Sequence, residues 1–463
     1  MEDPMGFADD HLTPLVDEGL GNSAYLVDLG DGRALAVDAS RDLRTLGAAA
    51  ERRGLRVAFA ADTHLHADFL SGAVQLAHDT GAHVLASAAG RRTFPHIPLA
   101  DGDETDLGGL TLRALATPGH TDEHLSFLLV DGDVELGVFT GGSLIVNSAA
   151  RTDLLGADRT EELARAQYRS LRRLATLPDS TPVWPTHGAG SFCSAPPGAE
   201  RTSTIGAQKQ ANPLLAAPDE DTFVRQLLDG PGSYPAYFDR LAEVNRRGPA
   251  VLRSAPALPA LDAGQVKSLL ADGGYVIDVR PAAEYAVGHI PGSLSIPLRD
   301  QFATWLGWLL PDIAPLAFVA GEDQNLTEIV WQAYKIGYER LAGRLAGGMT
   351  AWLAAGHRQA TTEFVTADRA GNRPYIDVRQ ETEFAAGHVP GAVHIELGSV
   401  TAHAVEAPEG AVVACGHGER AMTAASLLER AGHTDIAVLD GGPTDYAAAH
   451  GQRLAQGTVD FSA

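Results

Sequence analysis

The chain has 463 residues, 45% of them apolar and 20% charged, which is too long for one ordinary core and, at about 150 residues per domain, suggests about three. Its 59 acidic residues outweigh 35 basic ones, giving a formal net charge of −24 with no long basic run, so nucleic acid is not an expected partner. The longest candidate for a membrane segment, WLGWLL at 305–310, is far too short to span a bilayer, and MEDPMGFADD at the start lacks the regions of a signal peptide. A soluble, cytoplasmic protein with no membrane partner is expected. Its two cysteines, Cys193 and Cys415, exclude a disulfide framework and fit a reducing compartment.

In chain order, NSAYLVDLGDGRALAVDAS reads as two strands around a Gly30-Asp31-Gly32 hairpin. Further strands are predicted at Arg56 to Ala61, Ala82 to Ser87 and Leu110 to Ala116. Arg159 to Leu177 carries Leu163, Ala166, Leu171 and Leu174 at helical spacing, and Pro182 to Trp184 is a short strand. Residues 196 to 256, rich in PPG, NP and GPG, read as a tail and linker with a helix near Asp221 to Leu228. From Leu261 strands and helices alternate, as in parallel α/β units.

The most informative feature is a repeat. YVIDVRPAAEYAVGHIP begins at Tyr275 and YIDVRQETEFAAGHVP at Tyr375, with Asp278 and Asp377 lying 99 residues apart. The second copy continues VVACGHGERAMTAASLL, whereas the first reads LAFVAGEDQNLTEIVWQ, without Cys or the closing Arg. One copy therefore carries chemistry and the other reads as structural. Asp377, Arg379, Glu383 and His388 recur in the Cys-less copy as Asp278, Arg280, Glu284 and His289, so they read as residues that lock the fold.

Two groups of residues point to reactions. Thr63-His64-Leu65-His66-Ala67-Asp68 follows a strand, and His at i and i+2 on a loop can converge on one cation, with a carboxylate to orient them. Thr117-Pro118-Gly119-His120 and Pro185-Thr186-His187-Gly188 also place a His just past a strand. Around Cys415, the segment Gly416-His417-Gly418-Glu419-Arg420 lies between a strand and a helix, so backbone N–H groups and the helix N-terminus favour a thiolate and an anionic persulfide. Arg420 closes the loop.

THLHAD, TPGH, VFTGGSL and PTHG, in this order, resemble the metallo-β-lactamase superfamily, an αββα sandwich with metal at one edge. Ala150-Arg151-Thr152-Asp153 resembles the persulfide dioxygenase branch, whose mononuclear iron is held by two His and one Asp. The resemblance implies His64 and His120 as ligands, with a carboxylate after Thr140-Gly141, where this chain has Gly142. Three readings stay open: His66 completes a three-His site, Asp153 or Asp68 substitutes, or metal binds weakly or not at all. Asp68 and His187 are expected to support the ligands through hydrogen bonds. Arg151 is expected either to receive a substrate carboxylate, such as that of glutathione, or to form an ordinary surface ion pair. Phe69 stands where a two-metal hydrolase of this superfamily has another His.

The Cys415 loop, DVR, GHVPG and Leu439-Asp-Gly-Gly442 resemble the rhodanese sulfurtransferases. Four residues separate Cys415 from Arg420, where related phosphatases have five, which favours sulfane sulfur over phosphate. Cys193 reads either as a sulfur relay near the metal edge or as a small buried hydrophobe.

The expected architecture is thus an α/β chain with a metallo-β-lactamase-like domain at 8–250, a Cys-less rhodanese-like domain at 257–358 and a rhodanese domain at 362–460. Together the resemblances imply oxidation of a low-molecular-weight thiol persulfide, glutathione's or another's, to sulfite at one Fe(II), coupled to sulfur transfer through Cys415 that yields thiosulfate when sulfite accepts. A zinc hydrolase and a non-oxidising sulfur carrier are the rivals. Inactive repeats commonly serve as spacers or dimer surfaces, which leaves a homo-oligomer open.

Overall fold

The computed structural model describes residues 4–193, 200–230 and 232–457. The PPG of 196–198, the Pro of GPG at 231 and the end of the last expected domain lie outside these. The chain divides into two units, Met1–Ala255 with Tyr334–Gly337, and Pro256–Ala333 with Tyr338–Ala463.

The first unit is built on two six-stranded sheets. One runs β1 (Leu12–Asp17), β2 (Asn22–Asp28), β3 (Arg33–Val37), β4 (Arg56–Asp62), β5 (His83–Ser87) and β6 (Ile97–Leu99) in spatial order. The other consists of β7 (Glu104–Asp106), β8 (Thr111–Ala116), β9 (Leu125–Asp131), β10 (Val134–Gly141), β11 (Pro182–Pro185) and β12 (Ser203–Thr204). Strand alternation assigns the layers. Tyr25 and Val27 of β2 meet Phe127 and Leu129 of β9 and Phe139 of β10 in the core between the sheets. Leu26 points the other way, into a cluster with Leu46, Ala49 and Leu76 from the helices Arg44–Arg52 and Ala73–Thr80. On the far side, Leu128 and Val130 pack with Leu171 and Leu174 of the helix Thr160–Leu174 and Phe223 of the helix Glu220–Leu228. Helix, sheet, sheet, helix follows, and each fully buried Leu or Phe in these interfaces contributes about 1.5–3 kcal/mol.

The predicted strands and the hairpin are present, with Asp28 opposite Ala34 across the turn. The predicted linker is more ordered than its composition suggested. It holds the helices Ile205–Ala211 and Phe238–Arg247 besides the expected one. Asn245 of the last helix accepts from Ser71 N and donates to the carbonyls of His66 and Phe69, both at 2.8 Å, so it pins the loop after β4.

The second unit contains the repeat as two five-stranded parallel sheets of one topology. The first runs β13 (Ala260–Leu261), β17 (Leu341–Leu345), β16 (Leu316–Val319), β14 (Tyr275–Asp278), β15 (Leu294–Ser295). The second runs β18 (Glu363–Val365), β22 (Ala437–Leu439), β21 (Val412–Ala414), β19 (Tyr375–Asp377), β20 (Val393–His394). In both, the Asp that ends β14 or β19 grips the Arg two residues on, at 2.6 Å in Asp278–Arg280 and in Asp377–Arg379. Each Arg also donates to the carbonyl before the recurring His, Gly288 or Gly387. Each His bonds back through Nδ1 to the carbonyl four residues earlier, at 2.9 Å, and stacks on the ring there, Tyr285 or Phe384.

The Cys-less copy packs on the helix Glu419–Arg430 that follows Cys415. Ser295 N donates to Ser426 Oγ, His289 Nε2 meets Glu429 at 3.0 Å, Arg430 reaches Gly292 O and covers the Tyr275 ring, and Arg299 pairs with Glu419 at 2.6 Å. Ala421 to Leu428 are consequently all buried. Among the described residues no helix is long and apolar enough to cross a membrane.

Tyr285 differs from its counterpart Phe384 by a buried hydroxyl that donates to Ser293 O at 2.7 Å. Tyr285→Phe should lower the stability of the second unit by about 1 kcal/mol, read as a shifted urea midpoint at unchanged slope. A shift beyond about 3 kcal/mol would mean that the ring stack, not the hydroxyl, had been disturbed.

Candidate functional site: a histidine-lined edge and a cysteine loop

β4, β8, β10 and β11 end at the same edge of the first unit, and the loops after them bring His64, His120 and His187 together. Ligand atoms of these three lie within 4.8 Å of one another. All three side chains are buried. Their Nδ1 atoms are each engaged: His120 donates to Arg151 O at 2.7 Å, and His187 meets Asn22 Oδ1 at 3.0 Å. His64 Nδ1 meets Thr63 Oγ1 at 2.8 Å, and that hydroxyl donates to Asp38 Oδ2, so it accepts from the imidazole. Each ring therefore carries its proton on Nδ1 and offers the Nε2 lone pair. His64 Nε2 and His187 Nε2 have no hydrogen-bond partner despite burial. Burial first, and then neighbouring imidazoles, hold His64 well below the usual histidine range. Burial likewise brings His120 and His187 down to about 3, so all three are neutral donors at ordinary pH.

His66 does not join this set. Its Nε2 lies 3.2 Å from Asp38 Oδ1, in a separate buried group with Asp38 and Asp62. Burial opposes the charged forms, but the pairing outweighs it, raising His66 and lowering Asp38 to about 2. The third histidine of the convergent set is thus His187, which the sequence placed in a supporting role. Asp68 takes that role through Asn22, whose amide donates to Asp68 Oδ2 at 2.6 Å while its carbonyl oxygen holds His187. Asp68 Oδ1 has no partner.

Arg151 and Asp153 are committed to each other. Arg151 is buried, donates twice to Asp153 at 2.6 and 2.7 Å and once to Gly232 O, and lies over Tyr234. It is neither a surface ion pair nor a free receptor for a substrate carboxylate, and the same bonds remove Asp153 as a substitute ligand. Arg151 acts here through its carbonyl, which orients His120. Sequence reading missed Asn22, Asp38 and His124. Only His124 carried a local signal, four residues after His120. His124 Nε2 accepts from Gly142 N at 3.0 Å, and its Nδ1 meets Thr117 Oγ1.

In the second unit, Cys415 is buried and its Sγ accepts from Gly418 N at 3.1 Å, at the start of the helix Glu419–Arg430. Gly418 has φ 86°, a conformation that favours glycine. Gly442 lets its segment approach so closely that a Cβ would lie 3.0 Å from Cys415 O. His417 is exposed at the loop tip, and Glu419 turns to Arg299. Arg420 is fixed by both oxygens of Glu383, at 2.7 and 2.8 Å. Burial disfavours both charges, yet the pairing prevails, lowering Glu383 and raising Arg420. Glu383 therefore supports the cysteine loop, while its counterpart Glu284 is largely exposed and reaches Arg280 only at 4.0 Å. Strand register puts Val319 opposite Asp278 and Ala414 opposite Asp377, so Ala320 stands where Cys415 does.

Comparison with known proteins agrees with both halves. The rhodanese-like domain family matches residues 262–355 and 361–449. A metallo-beta-lactamase crystal structure from Staphylococcus aureus subsp. aureus COL is 30% identical at a TM-score of 0.65, over 72% of this chain and 98% of that one. This chain belongs to the metallo-β-lactamase superfamily. Two rhodanese-like domains are fused to its metallo-β-lactamase domain. Among curated relatives, hydroxyacylglutathione hydrolase of Methylococcus capsulatus is 35% identical over 170 residues, 36% of this chain and 62% of the relative. Persulfide dioxygenase of Homo sapiens is 29% identical over 171 residues, 36% of this chain and 60% of the relative. The chain thus spans about three fifths of the length of these curated relatives.

The metallo-β-lactamase domain's edge fits the metal ion that its fold implies. Unpartnered buried nitrogens on His64 and His187 cost about 1–3 kcal/mol each unless something accepts their lone pairs, and a cation does so. Gly142, at the expected carboxylate position, is demanded by packing. A Cβ there would lie 2.9 Å from His120 Cγ and 3.1 Å from Ala150 Cβ. Gly142→Asp should therefore displace His120 instead of restoring a ligand. The expected result is a lower Tm, by about 1–3 kcal/mol in stability, and weaker metal retention on dialysis. A variant that is as stable as the parent and binds metal more tightly would refute this account.

Proposed function

We propose that the chain processes persulfide sulfur at two centres: oxidation of a low-molecular-weight thiol persulfide to sulfite at His64, His120 and His187, and sulfur transfer through Cys415. The observation that carries this reading is the presence, in one chain, of three convergent neutral imidazoles and a cysteine whose sulfur accepts a backbone N–H at a helix start. The similarity to a persulfide dioxygenase supports it. An Fe(II) ion held by the three imidazoles would supply open positions at which a persulfide and O₂ meet. The overall change is RSSH + O₂ + H₂O → RSH + SO₃²⁻ + 2H⁺. The protein's part is to keep the rings neutral and oriented through Asn22, Thr63 and Arg151 O, and to bury them from competing water.

At the second centre the Cys415 thiolate attacks the outer sulfur of a persulfide or thiosulfate. A Cys–S bond forms as the donor's S–S bond breaks, and the donor leaves as thiolate or sulfite. Gly418 N–H and the helix N-terminus stabilise the negative charge that passes from thiolate to persulfide. An acceptor thiol or sulfite then takes the sulfur, sulfite giving thiosulfate. Arg420, held by Glu383, keeps a fixed positive charge beside the loop.

A second reading is favoured by the donor set itself. Three neutral imidazoles without a carboxylate suit Zn(II) and an activated water, and hydroxyacylglutathione hydrolase is among the relatives. Metal analysis with O₂ uptake on glutathione persulfide separates the readings. Iron and O₂ uptake are expected, both lost in His64→Asn. Cys415→Ser should keep O₂ uptake and lose sulfur transfer by at least about 100-fold. Zinc with thioester cleavage and no O₂ uptake would establish the hydrolase instead. Sulfur transfer with neither metal nor oxidation would leave only a sulfur carrier.

A further inference from the structure

Asp68, His187 and Cys193 form a second group whose ligand atoms lie within 4.8 Å of one another, and His187 belongs to both this group and the three-histidine set. Two of its members carry buried atoms without a partner, His187 Nε2 and Asp68 Oδ1. Cys193 is buried at 1% exposure. Its backbone is tied into the same strap that orients His120: Arg151 N donates to Cys193 O at 3.2 Å, and Arg151 O accepts from His120 Nδ1. Arg151 Nη1 donates to Phe192 O, and Cys193 N donates to Ser191 Oγ. The thiol is thus placed by fixed backbone on the histidine edge.

We propose that Cys193, as thiolate, supplies the anionic ligand that position 142 cannot, binding the ion held by His64, His120 and His187, with Asp68 beside it. The proposal rests on the metal reading given above. It moves the negative donor from the end of β10 to the loop after β11. The three imidazoles are neutral, so a single thiolate restores the charge that a carboxylate would have brought. It also softens the site, favouring Fe(II) or Zn(II) over Mg(II) or Mn(II). The thiol proton is released to solvent as the metal–sulfur bond forms.

The test uses the full chain carrying Cys415→Ser, which removes the other sulfur, stripped of metal and loaded with Co(II). One Co(II) per chain is expected, with visible bands from nitrogen and oxygen donors and a near-ultraviolet thiolate-to-cobalt charge-transfer band. Adding Cys193→Ser should erase the charge-transfer band, keep the visible bands and weaken Co(II) binding by about 10- to 100-fold. X-ray absorption of the Zn(II)-loaded Cys415→Ser chain should show one sulfur at about 2.3 Å, which needs no change at Cys193. Visible bands without the charge-transfer band, or a zinc shell without sulfur, would overturn the thiolate ligand and leave the metal reading standing. A charge-transfer band that survives Cys193→Ser would overturn it equally. Failure to bind Co(II) or Zn(II) at all would sink both.

Discussion

The buried carboxylate of Asp38 is the constraint on which the histidine edge depends. It sits just past β3 at φ 51° and receives Thr63 N, Thr63 Oγ1 and Thr186 Oγ1, with His66 Nε2 beside it. Burying a carboxylate without partners costs several kcal/mol, and four partners offset that cost only if all are held in place. Thr63 begins the loop of His64, and Thr186 precedes His187. One charge therefore joins the loops after β4 and β11, and the two sheets of the sandwich meet at it. The positions of His64 and His187 follow from this knot, while His120 is held by Gln167 and Arg151 O.

The repeats show a comparable economy in the second unit. The Asp–Arg clamp and the stacked His survive in both copies because they close the turn after β14 and β19, a task independent of any reaction. Glu383 is different. Its partner Arg420 exists only in the copy with Cys415, and in the other copy Glu284 is turned to water. The Cys-less copy contributes instead by covering the helix behind the cysteine loop, through Ser295, His289 and Arg299. A helix buried on opposite faces cannot tilt freely, and the loop it begins inherits that rigidity.

Local signals in the sequence carried the layers, the repeat and two of the three converging histidines, because each rests on a short pattern: strand alternation, a fixed offset, a His after a strand with a Gly or Pro turn. What escaped depends on distant partners. His187 was legible as a residue but not in its role, since its tautomer is set by Asn22, 165 positions away. Asp38 meets Thr186 across 148 positions. The helix Phe238–Arg247 was hidden by flanking Pro and Gly, although its Asn245 anchors the loop of His66.

The two apparent losses in this chain are physically unlike. In the first repeat, Ala320 follows a strand paired in the same register as the strand before Cys415, so chemistry is removed and the sheet stays. At the histidine edge, Gly142 donates its N–H to His124 and a Cβ on it would meet the His120 ring, while a Cβ on Gly141 would lie 2.5 Å from Thr63 Oγ1. The absence of a side chain there is a condition for the rings to pack as they do. A carboxylate could return only by moving His120 and breaking its bond to Arg151 O. The edge is thus rebuilt around glycine, and the anionic donors that stand beside His187 are Cys193 on its own loop and Asp68 on the loop after β4.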